Sequence, residues 1–500
     1  MSQRIMMGVA MILAAAAGKA ESISVDSSKV YDIDEVIVVS QPKEAFRLRQ
    51  QPLSSTSFGN FEMNRLGTRD LRELSAYIPN FVMPNYGSRL SSAVYVRGIG
   101  SRVNSPAIGV YVDGIPVMSK SAFNLHTYQL SRVDVLRGPQ GTLYGQNTEG
   151  GLVRLYSRNA FDYQGTDVRI GYGSRRYSNL EASHYQRLGE DVALMVGGFY
   201  NAQTGFFRNT TTGERADDYQ EAGGKLMLTG RLHSGWKVNV TADYQYVDQS
   251  AFPYGSLDLN TGKAEQPAST FPGSYRRNNL ITGLTLSYDA NNFSLASTTS
   301  YQYLKDHMYM DQDYLEADYM RMMQDQLQNA MTQEFSLKSR KPVGGVWHWA
   351  AGAFFSAQWL KTNGPVFFDS AMTTPIGNAI QQQMYNAMLQ AMAQRMQRPG
   401  MTHEQALALA AKTIERAGGV SMSVEMGAPG TYRTPQYNIG FYHESNIDIT
   451  PRLVLTLGAR YDYMLTKIHY ESMAYMKMNA NVMGKKATNT LRSMLDGKAH

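Results

Sequence analysis

Side chains able to do chemistry are sparse in this chain of 500 residues, and none of them forms a catalytic set. Cysteine is absent, which excludes disulfide scaffolds and thiolate metal sites. His126, His184 and His233 lack suitably spaced partners for a metal site or a nucleophile–base–acid triad. The glycine-punctuated run from Arg137 to Gly151 offers tight turns, but no Gly-Lys-Ser/Thr follows, so it is not a phosphate loop. An acidic, aromatic stretch holding His307, Tyr309, Asp311, Asp313 and Tyr314 has the groups to touch a ligand, and equally those of a solvated loop. Asp34-Glu35-Val36-Ile37-Val38-Val39 is a site of another kind. It is a β-branched apolar run inside a polar leader, with nothing local to pack on, and is ready to pair with another sheet edge. These patterns favour binding over turnover, without an enzyme's machinery, a metal or a cofactor.

The elements that must position such groups divide the chain. Arg4 followed by the apolar run Ile5 to Ala17, with small Gly18 and Ala20, reads as a signal peptide over 1–20, cut before Glu21. Thirteen residues are too few to span a bilayer as a helix. A flexible leader follows over 21–45. Residues 46–160 are compact and rich in Gly and Pro turns, with a short helix from Leu71 to Tyr77 and strands near 93–97, 109–112, 132–136 and 151–156, a small α+β domain. From 161 the texture changes to period-two alternation. Trp236, Val238, Val240, Ala242, Tyr244 and Tyr246 share one face, with Lys237, Asn239, Thr241, Asp243 and Gln245 opposite. Eleven such segments are expected, near 167–174, 176–187, 192–204, 220–231, 236–248, 279–288, 293–304, 331–339, 346–360, 436–446 and 452–465.

Short links alternate with long ones at 205–219, 249–278, 305–330 and 361–435. Sorting of loop lengths by parity is what bacterial outer-membrane barrels show, and tyrosines late on the strands (Tyr244/Tyr246, Tyr301/Tyr303, Tyr461/Tyr463) suit an interfacial girdle. An odd strand number, and a final Asp496-Gly497-Lys498-Ala499-His500 that does not read as a strand, make residues 161–500 an incomplete transmembrane β-barrel, roughly half of one. The 48 basic and 42 acidic residues are scattered, which gives no ground for nucleic-acid binding.

Three runs carry a resemblance: Val96-Arg97-Gly98-Ile99-Gly100, Gly109 to Pro116, and Val133 to Gly145, completed by Gly150-Gly151. In this order, behind a signal and ahead of alternating strands, they resemble the plug domain of TonB-dependent outer-membrane receptors, in the siderophore branch. The resemblance implies a membrane β-barrel with an internal α+β plug, embedded in outer-membrane lipid and expected to be a monomer. Asp34 to Val39 is then similar to the TonB box, the segment through which the inner-membrane protein TonB pulls. The resemblance also implies that plug arginines at the motif positions, Arg97 and Arg137, meet inward carboxylates of the barrel, with Glu334 and Glu444 as candidates. The expected cargo is an iron chelate, with haem, cobalamin or a glycan as alternatives and a passive porin or adhesin as the remote one.

Residues 378–419 break the strand pattern. Met384, Met388, Met392 and Met396 recur at four-residue spacing up to Pro399-Gly400, and Thr402 with Gln405 forms a capping-box pattern for a second helix over 406–416. A helical hairpin on the extracellular side is expected there. Its methionines either join the two helices, serve a lid or docking element, or bind a soft metal.

Overall fold

The computed structural model describes Lys43, residues 53–102 and residues 105–499. The expected signal and the run Asp34 to Val39 lie outside the described residues, as does the leader apart from Lys43. The N-terminal domain contains β1 (Ser54–Gly59), α1 (Asn60–Leu66), α2 (Leu71–Leu74), β2 (Phe81–Val82), β3 (Tyr95–Val96), β4 (Ile99–Gly100), β5 (Ile108–Val112), β6 (Ile115–Pro116), β7 (Leu130–Arg137), α3 (Gly141–Tyr144) and β8 (Gly151–Ser157). Its main sheet has the order β1-β7-β8-β5-β6, with β5 and β8 parallel. β5 is buried along its whole length, which is why Ile108 to Val112 reads as an unbroken apolar run. Asp70 caps α2 by accepting the Glu73 N–H at 2.8 Å. Arg97-Gly98 and Asp113-Gly114 are two-residue turns with positive φ at both positions, joining β3 to β4 and β5 to β6.

The rest of the chain supplies β9 (Gly165–Gly173), β10 (Tyr177–Arg187), β11 (Val192–Gln203), β12 (Tyr219–Arg231), β13 (Trp236–Ser250), a small hairpin of β14 (Leu257–Asp258) and β15 (Lys263–Ala264), then β16 (Ser274–Asp289), β17 (Phe293–Asp311), β18 (Met320–Ser339), β19 (Trp347–Asn363) and β20 (Val366–Phe368). After α4 (Ser370–Met396) and α5 (His403–Arg416) come β21 (Val420–Ala428), β22 (Gly430–Thr450), β23 (Leu453–Thr466), β24 (Ile468–Val482) and β25 (Lys485–Ala499). All of these strands except β14 and β15 join one antiparallel sheet of fifteen, not the eleven expected. The additions are β20, β21, β24 and β25. The chain through Ala499 is thus strand, contrary to the reading of 496–500. β24 and β25 escape a pattern search because polar and apolar residues mix on both of their faces, and their Met483-Gly484 turn lacks the usual Asn-Gly signal. Among the described residues, β9 pairs only with β10 and β23 only with β22, so the sheet is open between them.

Alternation fixes which face is which. On β17, Ser300, Gln302, Leu304, Asp306 and Met308 are buried while Tyr301 is exposed. The buried face wraps the N-terminal domain, whose apolar core recruits Ile281 of β16 and Leu304 of β17. Strands are also longer than a membrane requires: β17 has 19 residues and β18 has 20, against about ten for a tilted span. The expected 305–330 loop therefore shrinks to 312–319.

Beyond Asn363 the wall continues through different strands. β18 pairs with β20 at Met320–Met322, β20 with β21, β21 with β24, and β24 with β22 at Gly430–Arg433. Directly opposed residues share a face, so Met320, Phe368, Met426 and Met476 continue the inner face of Glu334. α4 packs on this inner face, where Gly377 lies against Val424 and Gln381 Oε1 accepts the Met422 N–H at 3.1 Å. A helix of 27 residues reaches about 40 Å. It begins at Ser370, eight residues before the expected start at 378. Thr402 and Gln405 do form the capping box of α5. Ala393, Ala406 and Ala410 are fully buried between the helices among Met392, Met396 and Met401.

Candidate functional site

The seam between the N-terminal domain and the sheet is where charge is buried. Arg89, in the loop before β3, reaches Glu221 on β12 through two bonds, Nε–Oε1 at 2.5 Å and Nη2–Oε2 at 2.6 Å. His126 Nε2 lies 3.2 Å from the same carboxylate, with its ring 3.8 Å from that of Phe199 on β11. Arg89 Nη1 also sits 3.4 Å from Asp70 Oδ2, which ties the wall contact back to the cap of α2. Burial raises the Asp70 carboxyl, but Arg89, Arg72 and the Glu73 N–H together hold it below the ordinary value of 3.8. Its contribution is therefore complete above that value and fades as pH falls through the lower folded one. Burial opposes the Arg89 charge, yet Glu221 and Asp70 raise its pKa above the usual guanidinium value.

Two further clamps lie along the wall. Lys225 on β12 donates to Asp113 Oδ2 at 2.9 Å, and Asp113 in turn accepts the Ser157 N–H and hydroxyl at 2.7 Å each. Lys43 Nζ lies 2.8 Å from Glu334 on β18, while the Tyr442 hydroxyl of β22 donates to Glu334 at 3.0 Å. The Lys43 ammonium stands over the rings of Tyr144 and Tyr111, at 4.5 and 5.0 Å from their centres. Hydrogen bonds outside these ion pairs fill the gaps. The Met118 N–H donates to Gln302 Oε1 at 2.9 Å, Gln302 Nε2 donates to the Pro116 carbonyl at 2.6 Å, and Arg277 donates to the Ser121 carbonyl.

Glu334 thus points inward as expected, but its cation is Lys43 and not Arg97 or Arg137. Arg97 is exposed in the two-residue β3–β4 turn. Arg137 is spent inside its own domain, donating to the carbonyls of Pro79 at 3.0 Å and Ser55 at 3.5 Å. Glu444 shares the inner face with Tyr442 and Asn446, and accepts the Asn446 amide at 3.1 Å. Two other ion pairs cross the seam, Arg89–Glu221 and Asp113–Lys225, and no sequence motif marks either of them. Inward parity of Glu221 and Lys225 on an alternating strand is the signal that could have found them.

A cavity of about 580 Å³ opens between the N-terminal domain and β9–β13 at the long-loop end. Arg69, Arg72, Tyr177, Phe206 and Tyr219 line it, with the Arg89–Glu221 pair in its wall. The stretch expected to contact ligand is placed otherwise. His307 and Tyr309 have outward parity on β17, His307 meeting Asp325 at 2.7 Å and Tyr309 accepting from Arg321 at 3.3 Å. Asp311 accepts the Thr270 N–H, and Asp313 accepts those of Leu315, Tyr319 and Met320, so both carboxylates shape the loop. Tyr314 packs edge-on against Tyr254 with ring centres 4.9 Å apart. Among the described residues no group of His, Asp and Glu could hold a metal.

An α+β domain wrapped and ion-paired by a long antiparallel sheet is a specific arrangement, and residues 47–152 match the family described as TonB-dependent Receptor Plug Domain. These residues are a TonB-dependent receptor plug domain. The chain is 31% identical over 128 residues to the pesticin receptor of Yersinia pestis, a match covering 25% of this chain and 19% of that receptor. In fold, the chain is similar to the ferric yersiniabactin uptake receptor of Yersinia pestis, with a TM-score of 0.63, 16% identity and coverage of 89% of this chain and 61% of that one. The siderophore receptor PiuA of Acinetobacter baumannii gives 0.54, 13% identity and coverage of 87% and 65%. The chain thus spans less than two thirds of the length of these solved receptors. At such identities the likeness is one of fold: a plug domain within the barrel-type sheet of TonB-dependent receptors.

Seating of this plug through Lys43 makes a prediction. Lys43→Met leaves Glu334 buried with one hydroxyl partner and is expected to lower stability by about 3 kcal/mol. Glu334→Gln in the same chain should recover most of that loss, because no charge is then stranded. Denaturation midpoints of the two single variants and the double variant check this; additive losses would contradict it.

Proposed function

We propose that the chain acts in energy-coupled import of an iron chelate across the outer membrane, with the barrel-type sheet embedded in its lipid. The observation that carries this reading is the plug, held in the sheet by buried ion pairs. A passive pore gains nothing from such a cork, whereas a pulled receptor needs a seal that holds and yields. Breaking a buried pair costs about 3–5 kcal/mol, well above thermal energy and within reach of mechanical work. In this reading Asp34 to Val39 is the TonB box, and TonB pairs with it by strand addition. Lys43 follows four residues after Val39, so tension on the box reaches the Lys43–Glu334 pair first. The neighbouring receptors are described as taking ferric yersiniabactin or other siderophores, and a siderophore is the cargo proposed here. Growth of a deletion strain complemented with this chain, on a panel of single iron sources, tests the cargo. Growth on haem alone and on no chelate would overturn it.

The ligand docks, in this reading, in the cavity lined by Arg69, Arg72 and Tyr177, and the hairpin of α4 and α5 acts as its cover. Deleting 378–419 is expected to raise the rate at which bound chelate leaves intact cells by about tenfold, the effect of a contact worth about 1.4 kcal/mol. An unchanged release rate would reduce the hairpin to a packing element, with its methionines serving only to join the helices.

A further inference from the structure

Two opposite charges face each other across adjacent strands of the wall without pairing. Arg277 on β16 and Asp306 on β17 are direct cross-strand neighbours on the inner face, 1% and 2% exposed. Side chains so placed start about 5 Å apart, well within reach of a guanidinium and a carboxylate. The arginine is committed to other acceptors. It donates through Nη1 to the Ser121 carbonyl of the plug and through Nη2 to Gln245 Oε1 on β13 at 3.5 Å, while Nε meets no partner among the described residues. Asp306 accepts the Tyr275 hydroxyl through Oδ2 at 3.0 Å, and its Oδ1 is likewise without a partner.

This arrangement is unfavourable for the wall taken alone. Elsewhere in the seam a buried charge of the wall meets an opposite charge of the plug side: Glu221 meets Arg89, Lys225 meets Asp113 and Glu334 meets Lys43. Arg277 forms no ion pair among the described residues, and its plug partner is a neutral carbonyl. A buried guanidinium needs a counter-charge to offset its lost hydration, and a buried carboxylate with a free oxygen bears a similar cost. The wall therefore holds an arginine and an aspartate that would stabilise each other. The seated plug keeps them apart, because Ser121, in the single 3-10 turn Lys120–Ala122, takes the arginine's donor.

We infer that Arg277 is a two-position switch, which holds the Ser121 turn while the plug is seated and swings to Asp306 when that turn is drawn away. In its second position the wall gains the ion pair it lacked, which offsets part of the cost of parting the seam's other buried charges. The exchange moves hydrogen-bond donors and breaks no covalent bond, so it reverses when the plug returns. Without Asp306, withdrawal of the plug would strand a buried cation in the wall. The inference rests on the reading of the plug as a cork that yields to tension.

The test pulls at constant load on the leader of the whole chain, held in outer-membrane vesicles, and reads how long the plug stays seated. Asp306→Asn and the smaller Asp306→Ser both remove the carboxylate. Their plugs are expected to stay at least about tenfold longer than the wild-type plug, since Arg277 then has no charge to move to. Asp306→Glu should release at close to the wild-type rate. With Arg277→Gln the exchange is impossible, and adding Asp306→Asn to it should change the release time by less than about twofold. Release of the Asp306→Asn plug at the wild-type rate would make Arg277 a plain plug contact, and faster release would mean that Asp306 supports the seated state. Equal slowing with Arg277 replaced would assign the effect to Asp306 alone. Each of these results would overturn the inference and leave the reading of a yielding plug intact. A wild-type plug that parts from the wall only as the sheet itself unfolds would overturn both.

Discussion

Replacing Glu221 with alanine is expected to loosen the plug in its barrel more than any other single change. The substitution leaves the Arg89 guanidinium and the His126 ring facing each other without their shared carboxylate, in a buried seam. Asp70 remains but already serves Arg89 from the plug side. Stranding a buried charge costs about 3–5 kcal/mol, a factor of about a hundred or more in the equilibrium between seated and loosened plug. Cells bearing Glu221→Ala should admit large antibiotics that the wild-type barrel excludes, and the plug loop holding Arg89 should become open to protease. Replacing Arg89 by methionine in the same chain should restore part of the seal, because the stranded charge is gone. An antibiotic sensitivity identical to wild type would show that the Arg89–Glu221 pair does not hold the plug.

A second large effect is expected at the segment proposed as the TonB box. Val36→Pro removes one backbone N–H and fixes φ in the segment proposed to pair with TonB. Strand addition depends on those main-chain bonds, so uptake should fall to background. Surface binding of the same chelate should stay normal, since the cavity and its arginines are made by other residues. Loss of both binding and uptake would point instead to a failure of folding or export.

The barrel-type sheet was readable because a wall with an apolar outside and a polar inside imposes period two on its strands, as β13 shows from Trp236 to Tyr246. The inward direction of Glu334 followed from that alternation alone. Its partner did not, because a cross-seam contact depends on how high the plug sits against the wall. That height brings Lys43 to Glu334 and leaves Arg97 in a turn. His307 and Tyr309 misled for a related reason. Polarity suggested a loop, whereas β17 continues past the level of Tyr301 and Tyr303, and continued alternation turns both residues outward. β24 and β25 are half-buried or exposed on both faces, so no burial pressure writes a pattern into them.

Import by work done through the box is tested by uptake of a radio-iron chelate into cells carrying the chain as their sole receptor, with TonB present or deleted. Deletion of TonB is expected to abolish accumulation inside the cells while chelate bound at the surface stays at its wild-type level. Accumulation at an unchanged rate without TonB would contradict it.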